Sequence, residues 1–131
     1  MFIYNRQNII NSTSENEVII LESRSLNLFS LNSWGWYVLI KFCRPVGLDE
    51  VKYAIINEFI DLPSETVDKE LNYFINELIQ NNLIIQNESA EEVNLSAQIL
   101  YNQKPKTAFE LNINVITDMS EGFFSKIFVE E

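Results

Sequence analysis

The chain has 131 residues, 47% of them hydrophobic and 12% aromatic, which is enough apolar material for one hydrophobic core. Its formal net charge of -10 opposes a phosphate backbone, because affinity for nucleic acid comes largely from Lys and Arg displacing counterions. With no histidine and a single cysteine, Cys43, it excludes an internal disulfide, a Cys/His zinc site and every His-based catalytic dyad.

The N-terminus has no basic stretch followed by an apolar run of signal-peptide length, and no run approaches the roughly 18 residues of a membrane span. The expectation is a soluble, cytoplasmic protein. Residues 1 to 10 read as an edge strand and Asn11 to Asn16 as a polar loop. Glu17 to Glu22 is an apolar run rich in β-branched residues; the turn Ser23-Arg24-Ser25 follows, then a second strand from Leu26 to Leu31. In that strand Leu26, Leu28 and Ser30 share one face and Asn27, Phe29 and Leu31 the other. Apolar side chains thus lie on both faces, and one face is free to meet something besides the core.

Asn32 is placed to cap a helix running through Trp34, Val38, Leu39 and Phe42 toward Cys43, with Pro45 and Gly47 stopping it. Trp34, Trp36 and Tyr37 read as core and rim packing, at least one of them near the surface, because one helix cannot bury every side. Cys43 reads as a small buried hydrophobe, since nothing here activates a thiol. A second helix fits Asp49 to Phe59, with Val51, Ala54, Ile55 and Phe59 at helical spacing and Asp49 and Glu50 at the positive end of its dipole.

Ser64 is the expected cap of a third helix reaching Gln80. Val67, Leu71, Phe74 and Leu78 form its stripe, which Ile75 and Ile79 broaden toward Asp68 and Asn72. Asn81 and Asn82 end it, Asn being the commonest non-glycine residue in the left-handed cap conformation, and Leu83-Ile84-Ile85 anchors the exit.

The chain then changes character. Asn87 to Glu92 is a polar, acidic joint, Val93 to Leu100 a short amphipathic helix, and Tyr101 to Lys106 an extended stretch in which Pro105 biases Lys104 away from helix. Phe109 to Thr117 alternates, with Phe109, Leu111, Ile113 and Val115 on one side, as a half-buried strand does. The organisation expected is one domain over 1–87 and a C-terminal extension over 88–131, ending in an apolar tail.

The order hairpin, helix, helix, long helix resembles the PqqD-like domains, also called RiPP recognition elements, which serve ribosomally synthesised and post-translationally modified peptides. The resemblance covers residues 18 to 85. It is carried by Val18 to Glu22 with Ser23-Arg24-Ser25, by Phe29-Ser30-Leu31-Asn32 with Gly35, by Val38-Leu39, and by the third helix closing in Asn82-Leu83-Ile84. Leu26 and Asn82 stand where such domains commonly carry glycine.

The resemblance implies an α+β, winged helix-turn-helix-like fold. A three-stranded antiparallel sheet is followed by three helices, and to this the alternation of residues 109–117 adds a C-terminal extension with a further strand. It implies a cleft between the third strand and third helix for the leader region of a precursor peptide, presented to a maturation enzyme such as a leader peptidase, cyclase or radical-SAM enzyme. Neither catalysis, a cofactor, nucleic acid nor a membrane enters that role. Physical reasoning reaches the same edge, because a peptide can add to a strand whose N–H and C=O groups are unpaired. The acceptor edge is expected at Leu26, Asn27, Leu28, Phe29 and Ser30, and the other wall at Asp68, Leu71, Asn72, Ile75 and Ile79.

Tyr101 to Lys106, the alternating strand, Thr117 and Gly122 look like the leader region of lasso-type precursors, in which a tyrosine and a nearby proline dock in such a cleft. The leader-like residues are Tyr101, Pro105, Phe109, Leu111 and Ile113, spaced one residue wider than Tyr-x-x-Pro. Three readings stay open: a leader-like strand filling the cleft of its own molecule or, by self-association, of a neighbour; an ordinary added strand; or disorder.

Two rival functions share the sequence. A winged-helix DNA-binding regulator has nearly the same element order, but the third helix offers Lys69 against Glu65, Asp68, Glu70 and Glu77. An enzyme would need a phosphate loop, a metal cluster or a nucleophile with its base, and none is written here; the carboxylates read as solvated faces.

Overall fold

The computed structural model describes residues 1–5, 8–13, 17–23, 25–59, 62–86, 105 and 107–117. Along them run β1 (Phe2–Tyr4), β2 (Asn8–Thr13), β3 (Glu17–Glu22), β4 (Asn27–Asn32), α1 (Ser33–Leu39) with a 3-10 turn at Ile40–Phe42, α2 (Leu48–Ile56), α3 (Ser64–Gln80), β5 (Ile84–Gln86) and β6 (Ile113–Thr117). The fold is α+β, with three helices and antiparallel strands in two sheets.

Where three strands were expected in one sheet, the described residues form a four-stranded sheet in the order β2-β3-β4-β6 and a separate pair, β1-β5. The cause lies at Asn5. Its carbonyl accepts from the Asn8 N–H at 3.0 Å and its side chain donates to the Asn82 carbonyl at 2.8 Å, so the chain turns and residues 1 to 10 divide. Ile3 then pairs with Ile85, Phe2 exchanges main-chain bonds with Val46, and the Asn8 amide donates to the Leu83 carbonyl at 2.9 Å. Strand β2 also runs on through Asn11 to Thr13, the expected loop. Pairing with Ile19 and Val18 holds it there, and a bulge between Ile10 and Ser12 absorbs the extra residue.

The β3–β4 hairpin forms as the alternation predicts, with Val18 opposite Leu31 and Ile20 opposite Phe29 on the inner face. Its turn is fastened by the buried Glu22 carboxylate, which accepts from the Ser25 N–H and hydroxyl at 2.7 Å each. Leu26 lies in this turn rather than in the strand, at φ 60.

Asn32 caps α1, its side chain accepting the Gly35 N–H at 2.9 Å. Every residue from Trp34 to Leu39 is buried, including Trp34, Trp36 and Tyr37, so the expectation of a surface aromatic here is corrected. The C-terminal segment supplies the missing cover over Trp34, as described below. Helix α2 stops at Ile56, leaving Phe59 just beyond it, and α3 begins at Ser64 itself with Pro63 as the cap residue. At its far end Asn82 sits at φ 60 and the Leu83 N–H reaches back to the Leu78 carbonyl at 2.9 Å, a Schellman closure.

One core joins the inner faces of β3 and β4 to α1, to Val51 and Ile55 of α2, and to Val67, Leu71, Phe74, Ile75 and Leu78 of α3, with Cys43 packed partly buried against it. Among the described residues no helix is long and apolar enough to cross a membrane.

Candidate functional site

Strand β3 takes one side of β4, and on its own far side carries β2, so the N-terminal strand leaves the outer rail of β4 clear. That rail holds β6. Leu31 faces Ile113, Ser30 faces Asn114 and Phe29 faces Val115. A bulge then skips Ile116, and Leu28 faces Thr117. The acceptor edge expected at Leu28, Phe29 and Ser30 is thus filled by the chain's own alternating segment.

The ladder does not end where β4 does. The Asn32 N–H donates to the Asn112 carbonyl at 3.3 Å, its side-chain Oδ1 accepts the Asn112 N–H at 3.1 Å, and its Nδ2 donates to the Glu110 carbonyl at 2.6 Å. One side-chain amide therefore caps α1 and continues the strand pairing past the point where helical backbone could do so. Further back, the Trp34 indole N–H donates to the Thr107 carbonyl at 3.1 Å.

Phe109 closes a triangle of rings, its centroid 5.2 Å from Trp34 and 4.9 Å from Phe59, which are themselves 5.3 Å apart. Phe109, Leu111 and Ile113 all pack against the core, while Val115, the fourth residue of the alternation, is largely exposed. Gly35 lets the segment come this close: a Cβ there would lie 3.1 Å from the Asn112 carbonyl oxygen, 3.1 Å from Phe74 Cζ and 3.0 Å from Asn32 Oδ1.

The helical wall is a different flank of α3 from the expected one. Thr66, Lys69, Glu70, Tyr73 and Phe74 line an open cavity of about 670 Å³ beside Glu110, Leu111 and Asn112. Asp68 and Asn72 instead face α2, where Lys52 lies 3.5 Å from the Asp68 carboxylate and donates to Asn72 at 3.0 Å. Leu71 and Ile75 are buried in the core and Ile79 packs at its border. A broad apolar stripe shows two flanks in sequence, and the docking of α2 decides which one is left for the sheet edge.

Of the remaining expected residues, Asn27 opens β4 half-buried opposite Glu22, and Leu26 projects from the turn, 49% exposed. Pro105 is half-buried, and Tyr101 lies outside the described residues. Sequence reasoning missed Phe59, Lys69, Tyr73, and the second role of Asn32. The alternation of Phe109, Leu111 and Ile113 signals an apolar partner without naming it.

Two other polar clusters are present, the second adjoining Trp34, whose ring centroid lies 5.6 Å from that of Tyr37. Lys52 bridges Asp49 and Asp68 at 3.5 Å each, within a cavity of about 530 Å³ between α2 and α3. Tyr37 donates to the Glu58 carboxylate at 2.7 Å, under Lys41, and burial followed by that carboxylate pushes its phenol up to about 12. Among the described residues no group of three or more His, Cys, Asp or Glu side chains is arranged to hold a metal ion. Comparison of the chain with protein-family models, with curated proteins and with solved structures found no match.

Proposed function

We propose that this chain is a non-catalytic peptide-recognition module of the RiPP-recognition-element kind, with β2-β3-β4 as the winged sheet of a winged helix and the rail of β4 as its peptide seat. It captures the leader of a ribosomal precursor by strand addition in the cytoplasm and presents it to a maturation enzyme. The observation that carries the reading is the seat of β6, which with Asn112 before it is held on β4 by main-chain pairs. The two positions where such domains commonly carry glycine, Leu26 and Asn82, are the non-glycine residues with positive φ among those described, which adds support from backbone geometry. The DNA-binding alternative gains nothing from the acidic flanks of α3.

The tethered segment acts as a built-in competitor. A tether presents its strand at an effective concentration of about 1 mM, so with an intrinsic affinity of about 10 μM for that strand a free leader binds the occupied rail about 100-fold more weakly than the open one. The test uses the full chain with Leu111→Asp and Ile113→Asp, or the milder Leu111→Ala and Ile113→Ala pair should the first not fold, to unseat the tether. A fluorescent synthetic peptide of residues 105–117 should bind the opened chain in the micromolar range and the unaltered chain about 100-fold more weakly. Absence of binding to both rejects the reading.

A further inference from the structure

We infer that the groove chooses its occupant with two devices at the start of α1. The Asn32 amide reads main chain and the Trp34–Phe59 pair reads an aromatic side chain, so the partner in trans is an extended peptide with an aromatic residue followed by aliphatic residues two and four positions on. The inference rests on the strand-addition reading and names the class of ligand that reading leaves open.

The cap of α1 needs only an acceptor for the Gly35 N–H, and serine, threonine or aspartate would serve it as well as asparagine does. The strand needs more. With β4 ending at Asn32 and α1 starting at Ser33, the next two groups of the docked segment, the Glu110 carbonyl and the Asn112 N–H, meet no backbone partner among the described residues. A primary amide offers a donor and an acceptor side by side, as a peptide unit does, and Asn32 presents Nδ2 to one and Oδ1 to the other. Because these contacts touch main chain alone, they select for an extended conformation whatever the side chains.

Side-chain selection falls to the ring triangle. The indole N–H of Trp34 is engaged by the Thr107 carbonyl, and its ring meets those of Phe59, Phe109 and Tyr37. The edge-to-face contacts of Phe109 with both rings set a geometry that an aliphatic side chain cannot reproduce. Leu111 and Ile113, on the same side of the extended segment, pack against the core beside it.

The test titrates the opened full chain with the 105–117 peptide and with peptides altered at the Phe109 position. Phe→Tyr and Phe→Trp should bind within a few-fold of the parent, Phe→Leu about 10-fold more weakly and Phe→Ala about 30-fold more weakly. Adding Asn32→Asp keeps the cap acceptor but sets a carboxylate against the Glu110 carbonyl. It should weaken every peptide about 10-fold or more while the unfolding midpoint and the amide exchange of α1 stay unchanged. Equal binding of the Phe→Ala peptide overturns the aromatic selection, and undiminished binding by Asn32→Asp overturns the main-chain reading. Should no peptide bind either form, strand addition itself fails and takes this inference with it.

Discussion

Leu26 and Asn82 both hold φ at 60, in the left-handed region that costs a typical L-residue about 1–2 kcal/mol and asparagine less. Leu26 gains little in return, since its side chain is 49% exposed. Leu26→Gly should therefore raise stability by up to about 1 kcal/mol after the extra freedom of glycine in the unfolded chain is subtracted, and Asn82→Gly by less. The urea midpoint at unchanged slope reads both, and a fall on Leu26→Gly would contradict the backbone account. Burial also lifts the phenols of Tyr4 and Tyr37 to about 12, the Glu58 carboxylate adding to the rise at Tyr37. A folded state that holds these protons more tightly than the unfolded one keeps their contribution in full below the unfolded value of 10.0 and loses it as pH climbs toward 12. Urea unfolding across that window should show the midpoint falling, and Tyr37→Phe should flatten part of the slope. A level profile in the unaltered chain would sink this assignment.

At the scale of elements, Gly35 of α1 lies close against the segment before β6. Alanine in a helix interior ordinarily stabilises by about 1 kcal/mol over glycine, but here its Cβ would press on the Asn112 carbonyl and Phe74. Gly35→Ala should accordingly speed amide exchange in β6 by about 10-fold or more while β3 keeps its protection. Equal protection in both would show that the approach is looser than described. The hairpin and the three helices were legible in the sequence, because alternation and helical spacing report which side chains seek cover, whereas the strand expected over 109–117 forms only over Ile113–Thr117, since β4 gives way to α1 at Asn32. The β1-β5 pair was not, since Asn5 and Asn8 act through bonds to the distant Asn82 and Leu83 carbonyls. The flank of α3 was not either: Thr66, Lys69, Glu70 and Tyr73 look like solvated surface, and only the docking of α2 beside Asp68 and Asn72 leaves that side for the strand segment.

For the molecule as a whole, one sheet edge and the start of α1 hold the segment before and along β6, and a flank of α3 faces it across an open cavity, an arrangement that the proposed strand capture would use. In the proposed role, a net charge of -10 would leave the peptide to be chosen by main-chain pairing and apolar side chains rather than by attraction to anions. The most direct measurement is isotope-edited NMR on the opened full chain mixed with a labelled 105–117 peptide. Cross-strand contacts from the peptide residue equivalent to Ile113 to Leu31, and from that equivalent to Val115 to Phe29, are the result expected. A peptide that pairs along β2, or none that pairs with β4, would contradict the account.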